Sequence, residues 1–296
     1  MYKNNMFVYL LLGILLYILL TRILMKNVDT MTTDSSVKVN DITNYLSECI
    51  KNKTPVSFSK YGDGEYFAVS GRDGENCDND KYTQKLKDKL IESFRYLVKN
   101  NDNAYIGFWN DDHVNFWMNI VDNHDIKWAK YHTIIMDGEE SQSEKINLYK
   151  TIRFSTLKKI IVCNPLLIKS KILFNIDYVV NISLNNWFDT QYENILSQIR
   201  DIMNSTNEQF IVITSCGMGA KVLIGNLVMS NPNNIYLDFG SAIDKICTKK
   251  NTRGGGLSYE QLLIDLKEII PDDWNDSKYD YIYDEANDKL GTHIAK

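Results

Sequence analysis

Two short segments of this sequence combine charged residues and glycines in patterns that can bind a charged ligand. The first is Asp63-Gly64-Glu65, which follows Gly62 and a short apolar run that we predict to be a strand. In an extended segment, residues two positions apart point to the same side, so both carboxylates can reach one cation. Carboxylate oxygens suit hard divalent cations, and glycine lets a bulky phosphate approach the backbone. We therefore predict that Asp63 and Glu65 bind Mn²⁺ or Mg²⁺.

An acidic pair is weak evidence by itself, because such pairs are common in solvated turns. The same spacing recurs in Asp73-Gly74-Glu75, within a polar run. We favour Asp63 and Glu65 because only that pair follows a predicted strand.

The second segment is Gly217-Met218-Gly219-Ala220-Lys221, between a strand predicted at 209–215 and a helix predicted at 222–229. Backbone N–H groups at a helix N-terminus bind anions, and Lys221 adds a positive charge suited to a diphosphate. The spacing differs from that of a Walker A loop, and Val222 replaces the third glycine of a dinucleotide fingerprint. Asp238 nevertheless lies about 20 residues further on, where such folds place a ribose-binding acid. A nucleotide-cofactor site and a plain glycine-rich turn with a surface lysine therefore remain alternatives.

The elements that must position these segments alternate along the chain. Amphipathic spacing predicts helices at 41–51, 82–99, 114–121 and 187–203. Continuous apolar strands separated by helices are typical of a parallel sheet that is covered on both faces. We therefore predict an α/β, Rossmann-like fold. Further strands are predicted at 55–59, 104–108, 133–136, 159–163, 178–182 and 234–238.

The first residues differ from the rest of the chain. Residues 6–20 are an unbroken apolar run, and three more apolar residues follow Thr21 and Arg22. A membrane-spanning helix needs about 20 apolar residues, which this segment reaches if Arg22 extends to the headgroups. We predict a single N-terminal membrane anchor at 1–26, a polar stem at 27–40 and one domain at 41–296. The alternative is that this apolar segment is a buried core helix. The lysine and arginine residues on its two sides do not determine which side of the membrane the domain occupies.

Composition excludes several classes of protein. The chain has 296 residues, a net charge of -5 and no large cluster of lysine and arginine, which argues against nucleic-acid binding. Its five cysteines form no CxxC pair, so neither a zinc site nor a disulfide framework is indicated.

Four segments, in order, resemble the motifs of the GT-D-type glycosyltransferases, bacterial enzymes that extend glycans on surface adhesins. The segments are Lys60-Tyr61-Gly62-Asp63-Gly64-Glu65, Asn185-Asn186-Trp187-Phe188, Ser215-Cys216-Gly217-Met218-Gly219-Ala220-Lys221 and Leu237-Asp238-Phe239-Gly240. The resemblance implies a Rossmann-like fold, a metal held through Asp63 and Glu65, and a nucleotide-sugar donor that is often UDP-linked. The donor-binding residues that we predict are Tyr61, Gly62, Gly64, Asn186, Gly217, Gly219, Lys221 and Asp238.

The chain departs from the family pattern at two places. Lys60-Tyr61 replaces the usual Arg-Phe, and Ser241 stands where the family often has histidine.

Weaker candidates lie elsewhere. Asp111, Asp112 and His113 follow a predicted strand, where one can serve as a general base, although a polar turn is the more common explanation. Arg253-Gly254-Gly255-Gly256 has the composition of a lid or of a plain surface loop. Trp109, Trp117 and Trp187 can stack on a sugar or pack in the core.

The sequence thus favours a metal-dependent, membrane-anchored transferase that moves a sugar to a glycan or glycoprotein acceptor, with Asp63, Glu65 and Lys221 as catalytic residues. One alternative is a Rossmann-type oxidoreductase that uses the 217–221 turn and Asp238 and needs no metal. Another is a membrane-anchored binding domain without catalysis, which would bind neither metal nor nucleotide-sugar.

Overall fold

The computed structural model describes residues 42–76, 80–108, 110–135, 142–250 and 258–275. The predicted anchor and stem lie outside these residues. In the described ranges no helix combines the length and the apolar character that crossing a membrane requires.

Within these residues, seven parallel strands form one sheet with the order β3-β2-β1-β7-β6-β4-β5. The predicted parallel sheet is confirmed. The strands are β1 Val56–Tyr61, β2 Ala104–Phe108, β3 Trp128–Lys130, β4 Lys158–Cys163, β5 Tyr178–Asn181, β6 Phe210–Ser215 and β7 Ile235–Asp238.

Helices connect the strands. They are α1 Ile42–Lys51, α2 Asp63–Ser70, α3 Gln84–Asn100, α4 Val114–Ile120, α5 His132–Ile135, α6 Gln142–Phe154, α7 Ser170–Phe174, α8 Trp187–Asn204, α9 Gly219–Ser230, α10 Asp244–Thr248 and α11 Tyr259–Asp265. Short 3₁₀ turns occupy Asp111–His113, Pro165–Leu167 and Gly240–Ile243.

Both faces of the sheet are buried, which explains why its central strands are continuously apolar. In β4, Ile160 and Val162 pack in the cluster that includes α3, α8 and α9, whereas Ile161 and Cys163 pack in the cluster that includes α1, α6 and α7. This alternation follows from the two-residue period of a strand. The predicted covering of both sheet faces by helices is therefore confirmed.

One predicted strand is wrong. We predicted a strand at 133–136, but β3 ends at Lys130 and the chain then forms the short helix α5. The N–H groups of Ile134 and Ile135 both donate to the carbonyl of Tyr131, at 3.1 and 3.3 Å, which closes a helical turn. The side chains of Ile134 and Ile135 are both buried. Over so few residues, the pattern of apolar residues does not distinguish a strand from a helix.

The topology determines where a ligand can bind. Strands β4 and β6 are neighbours in the sheet. The chain continues from β4 to β5 on one side of this pair and from β6 to β7 on the other side, so the two connections run in opposite directions. Parallel sheets bind ligands in the crevice outside the carboxyl ends of strands at such a point. One predicted motif follows the carboxyl end of β1, and the other follows the carboxyl end of β6.

Candidate active site

A cavity of about 960 Å³ lies at the carboxyl ends of the strands, near the upper limit of roughly 300–1,000 Å³ for small-molecule sites. Segments that follow β1, β4, β5, β6 and β7 line it. The structure therefore brings the two predicted motifs into one cavity. Six of the predicted site residues line it: Gly62, Asp63, Gly64, Glu65, Gly217 and Lys221.

The first motif is helical, which corrects the predicted extended conformation. Helix α2 begins at Asp63, immediately after Gly62, and a carboxylate oxygen of Glu65 accepts the Gly62 N–H at 2.8 Å. Glu65 thus caps helix α2, because its carboxylate accepts a backbone N–H that has no partner within the helix. Because each helical residue turns by about 100°, side chains two positions apart diverge by about 200°. The Asp63 side chain is accordingly 55% exposed, and that of Glu65 is 8% exposed.

Asp63 stands at the mouth of the cavity beside His113. The distance from Asp63 Oδ1 to His113 Nδ1 is 3.6 Å, and the His113 ring stacks on Tyr66 with centroids 3.8 Å apart. The stacked ring restricts the imidazole, so the carboxylate has a polar neighbour in a defined position. Of the two motif carboxylates, Asp63 is the one that solvent and ligands can reach.

Lys221 joins the two motifs at the floor of the cavity. Its ammonium lies 2.8 Å from Glu65 Oε1 and 3.1 Å from Asp238 Oδ2, and it donates to the Gly217 carbonyl at 3.1 Å. A lysine ammonium has three N–H donors, so these three acceptors use all of them. Burial alone would lower the pKa of Lys221, but the charges of Asp238 and Glu65 outweigh it and raise the pKa above its ordinary value. Lys221 is therefore a permanent cation within the site.

Asp238 lies beneath the cavity. Its side chain is fully buried, and Oδ2 also accepts the backbone N–H of Lys60 at 2.9 Å. The Lys60 ammonium lies 3.9 Å from Oδ1. A ribose-binding acid must reach the hydroxyl groups of a ligand, whereas Asp238 binds two lysines instead. In this structure Asp238 contacts the two lysines, and its binding of a ribose stays a prediction.

The glycines of the second motif have separate roles. Gly217 adopts a φ of +64°, and a Cβ there would lie 2.5 Å from Asp80 Oδ2. A Cβ at Gly219 would lie 2.5 Å from Cζ2 of Trp187, whose indole N–H donates to the Cys216 carbonyl at 2.9 Å. Gly217 therefore allows the turn and the approach of Asp80, and Gly219 allows α9 to pack against Trp187.

Four residues predicted to bind the donor are absent from the described lining of the cavity: Tyr61, Asn186, Gly219 and Asp238. Tyr61 packs in the core against Phe94 and Trp117. Asn186 precedes α8 with a φ of +52°. The chain neighbours of Tyr61 and Asn186 nevertheless line the cavity, so the segments that contain these two residues border it.

Sequence reasoning missed several lining residues, which are Arg72, Asn76, Asp80, Tyr82, Tyr131, Asn164, Ser183 and Asp244. Asn164 and Ser183 could have been found, because both follow predicted strands at the edge where ligands bind. Tyr131 lies far from both motifs in sequence, yet a Cβ on Gly62 would come within 2.9 Å of its hydroxyl. Burial, with a smaller contribution from Glu65, raises the pKa of Tyr131, so it remains a neutral hydroxyl.

The residues that the sequence indicated only weakly as site residues lie in different surroundings in the structure. Trp117 and Trp187 are buried, at 0% and 2% exposure, and Trp187 also lines the cavity. Asp112 lies in an exposed 3₁₀ turn, and His113 contacts Asp63. Trp109, the Asp111 side chain and residues 251–257 lie outside the described parts of the structure.

The metal-binding groups of the site suit a cation that a bound ligand also coordinates better than a cation held by protein groups alone. Among the described residues, no group of three or more histidines, cysteines or carboxylates is placed to hold a metal. Glu65 binds Lys221 and the Gly62 N–H, whereas the Asp63 carboxylate is accessible. Mg²⁺ is often bound by one or two carboxylates together with substrate phosphates, which Asp63 can match.

Comparisons with known proteins identify the fold. No family model matches the chain, and no curated protein matches it. Two solved structures do. One is described as showing that the highly conserved domain of unknown function 1792 has a distinct glycosyltransferase fold, and the other is a selenomethionine-substituted structure of that domain. Each has 16% identity and covers 80% of this chain and 90% of its own, with TM-scores of 0.50 and 0.51. The chain thus has a fold similar to the glycosyltransferase fold of domain 1792.

Proposed function

We propose that this protein is a glycosyltransferase that moves a sugar from a nucleoside-diphosphate donor, with UDP as the nucleotide, to a glycan or glycoprotein acceptor. The contact between Lys221 and Glu65 carries the proposal. It joins two motifs that are far apart in sequence at the floor of one cavity. The similarity to a glycosyltransferase fold supports the same conclusion.

The electrostatics of the cavity suit this chemistry. When the sugar leaves the donor, negative charge grows on the diphosphate, and fixed positive groups lower the barrier by stabilising it. Lys60, Arg72 and Lys221 are the lysine and arginine residues that line the cavity, together with six carboxylates, Asp63, Glu65, Asp73, Glu75, Asp80 and Asp244. A volume of about 960 Å³ gives room for a second substrate beside the donor.

We also propose that a divalent cation, Mn²⁺ or Mg²⁺, binds between Asp63 and the donor. When bound, such a cation neutralises charge on the diphosphate leaving group. Asp63 supplies an accessible carboxylate, and its Oδ1 lies 3.6 Å from His113 Nδ1. The predicted second ligand, Glu65, would have to exchange Lys221 for the cation.

Residues 1–26 would hold the catalytic domain at a membrane. This proposal rests on the apolar run at 6–20 alone.

Thermal unfolding of the full-length chain in detergent tests the proposal. A ligand that binds only the folded state stabilises it, by about 2.7 kcal/mol at a hundred times its Kd. We expect UDP to raise the melting temperature only when Mn²⁺ is present, and Asp63→Ala to abolish that increase.

Asp73→Ala is the matched control, because Asp73 belongs to the second Asp-Gly-Glu segment and also lines the cavity. It should retain the increase with UDP. Stabilisation by NAD without metal, and none by UDP, would refute a glycosyltransferase and favour the oxidoreductase. Stabilisation by neither nucleotide would favour a non-catalytic domain.

A further inference from the structure

The charged residues of the cavity lining are confined to one part of it. The three cations and six carboxylates named above all lie in or after β1, or after β6 and β7. The lining residues within 164–187 follow β4 and β5 instead, and all of them are uncharged. They include Asn164, Leu166, Ile182, Ser183, Leu184 and Asn185. We call these lining residues within 164–187 the uncharged wall.

Two leucines of the uncharged wall are exposed. Leu166 and Leu184 are 46% and 39% exposed, and they are two of the five large apolar side chains that are exposed in the described parts of the chain. Leu167 and Ile182, at 3% and 5% exposure, also line this wall. A ligand that covers the two exposed leucines removes apolar surface from water, which is favourable. The wall therefore suits a ligand group that is uncharged and has an apolar face.

Local hydrogen bonds hold the loop that contains Leu184. The Ser183 N–H donates to Gln191 Oε1 at 2.9 Å, and the Ser183 hydroxyl donates to the Asn185 carbonyl at 3.0 Å. Leu184 lies between the two residues that these bonds hold. Its position is therefore set before a ligand binds, which reduces the conformational entropy that binding costs.

Asn164 holds the other leucine and offers a hydrogen-bond donor. Its Oδ1 accepts the Leu166 N–H at 3.0 Å and caps the 3₁₀ turn Pro165–Leu167. An amide side chain also has an NH₂ group with two donors. Among the described residues, the NH₂ group of Asn164 has no hydrogen-bond partner. The uncharged wall thus combines apolar side chains with an amide that can donate to a carbonyl of a ligand.

The uncharged wall lies beside the second motif. In the sheet, β4 is the neighbour of β6 and β5 is the next strand outward. Their carboxyl ends therefore lie about 5 and 10 Å from that of β6, at the usual spacing of strands. A diphosphate placed between Asp63 and the first turn of α9 would border this wall.

We propose that the uncharged wall binds the nucleoside of the donor, with the base packed on Leu166 and Leu184 and the Asn164 NH₂ group donating to a base carbonyl. This inference rests on the proposed function, and it names the residues that hold the uridine part of UDP. Uracil is planar and uncharged, and its two carbonyl oxygens accept hydrogen bonds. The six carboxylates elsewhere in the lining would repel these oxygens, whereas the hydroxyl groups of a sugar can donate to carboxylates. The base therefore lies away from the carboxylates, and the sugar extends toward them.

Calorimetric titration of the full-length chain in detergent, with Mn²⁺ present, tests the inference. The ligands are UDP, uridine and methyl diphosphate, which separate the nucleoside from the diphosphate. One variant is Leu166→Ser/Leu184→Ser. The other is Asn164→Ser, which keeps a side-chain oxygen for the Leu166 N–H and removes the NH₂ group. The matched control is Met229→Ser, because Met229 is 49% exposed and lies outside the described lining of the cavity.

The variants should weaken the binding of the nucleoside and leave the diphosphate unaffected. We expect the double leucine variant to raise the Kd for UDP by about 5- to 50-fold, because both leucines bury apolar surface on the base. Asn164→Ser should raise it by about 2- to 10-fold, as for loss of one hydrogen bond between neutral groups. The Kd for uridine should rise by similar factors, and that for methyl diphosphate should be unchanged. Met229→Ser should match the wild type with all three ligands.

The outcomes separate the inference from the proposed function. Circular dichroism checks that the variants fold, which the exposure of both leucines favours. Wild-type affinity for UDP in either folded variant would overturn the inference and leave the proposed function standing. An equal loss of affinity for UDP and for methyl diphosphate would also overturn it, because the wall would then act on the diphosphate. Absence of UDP binding to the wild type would overturn both.

Discussion

Replacing Lys221 by methionine should destabilise the protein strongly. The substitution keeps most of the side-chain volume but removes a cation that lies 2.8 Å from Glu65 and 3.1 Å from Asp238. Both carboxylates are at most 8% exposed, so water cannot replace the lost partner. Removing one partner of a buried ion pair costs about 3–5 kcal/mol. Since each kcal/mol lowers the Tm of a domain this size by about 2–4 °C, we expect a decrease of about 6–20 °C.

A double-variant cycle gives this prediction its control. Glu65→Gln removes one of the two carboxylates and keeps an oxygen that can accept the Gly62 N–H. The combined Glu65→Gln/Lys221→Met chain should be less destabilised than the sum of the two single changes, by about 0.5–3 kcal/mol. Urea unfolding followed by circular dichroism measures all four chains. Additive effects, or a decrease below about 1 °C in Lys221→Met, would refute the assigned network.

The pH dependence follows from the raised pKa of Lys221. A group whose pKa is higher in the folded state contributes its full stabilisation below the unfolded pKa, which is about 10.4 for lysine. That stabilisation is lost as the pH rises from the unfolded value through the folded one. The stability difference between wild type and Lys221→Met should therefore be constant through neutral pH and shrink only in strongly alkaline solution. A difference that already shrinks near neutrality would contradict the assignment.

Two further predictions follow from the geometry, and a third follows from the sequence. Gly219→Ala should lower the free energy of unfolding by about 1–3 kcal/mol, because its Cβ would lie 2.5 Å from Trp187 Cζ2. Thermal unfolding measures this change, and unchanged stability would show that α8 can shift. His113→Ala should raise the Mn²⁺ concentration needed for half-maximal stabilisation by UDP by up to about fivefold, since its contact with the 55% exposed Asp63 is worth at most about 1 kcal/mol. An unchanged requirement would separate His113 from Asp63. Deleting residues 1–26 should move the chain from the membrane pellet to the supernatant in a sedimentation assay, and continued pelleting would contradict the predicted anchor.

The sequence by itself determined the class of fold and the location of the cavity. Central strands such as β6 are apolar at every position because both sheet faces are buried, and this signal is local. The two glycine-containing motifs follow β1 and β6, and parallel strands place their carboxyl ends at one edge. The convergence of both motifs on one cavity could therefore be predicted without coordinates.

Only the tertiary structure decided which residues face the cavity and which support it. Glu65 points inward because the segment after β1 is helical, and its partner Lys221 belongs to a distant motif. Lys60 and Asp238 are 178 residues apart, yet the backbone N–H of one donates to the carboxylate of the other. Periodicity and spacing report on neighbours within a few residues. The partner of a buried charge is instead set by the pairing of β1 with β7 and by the low dielectric between them, where an unpaired charge is costly.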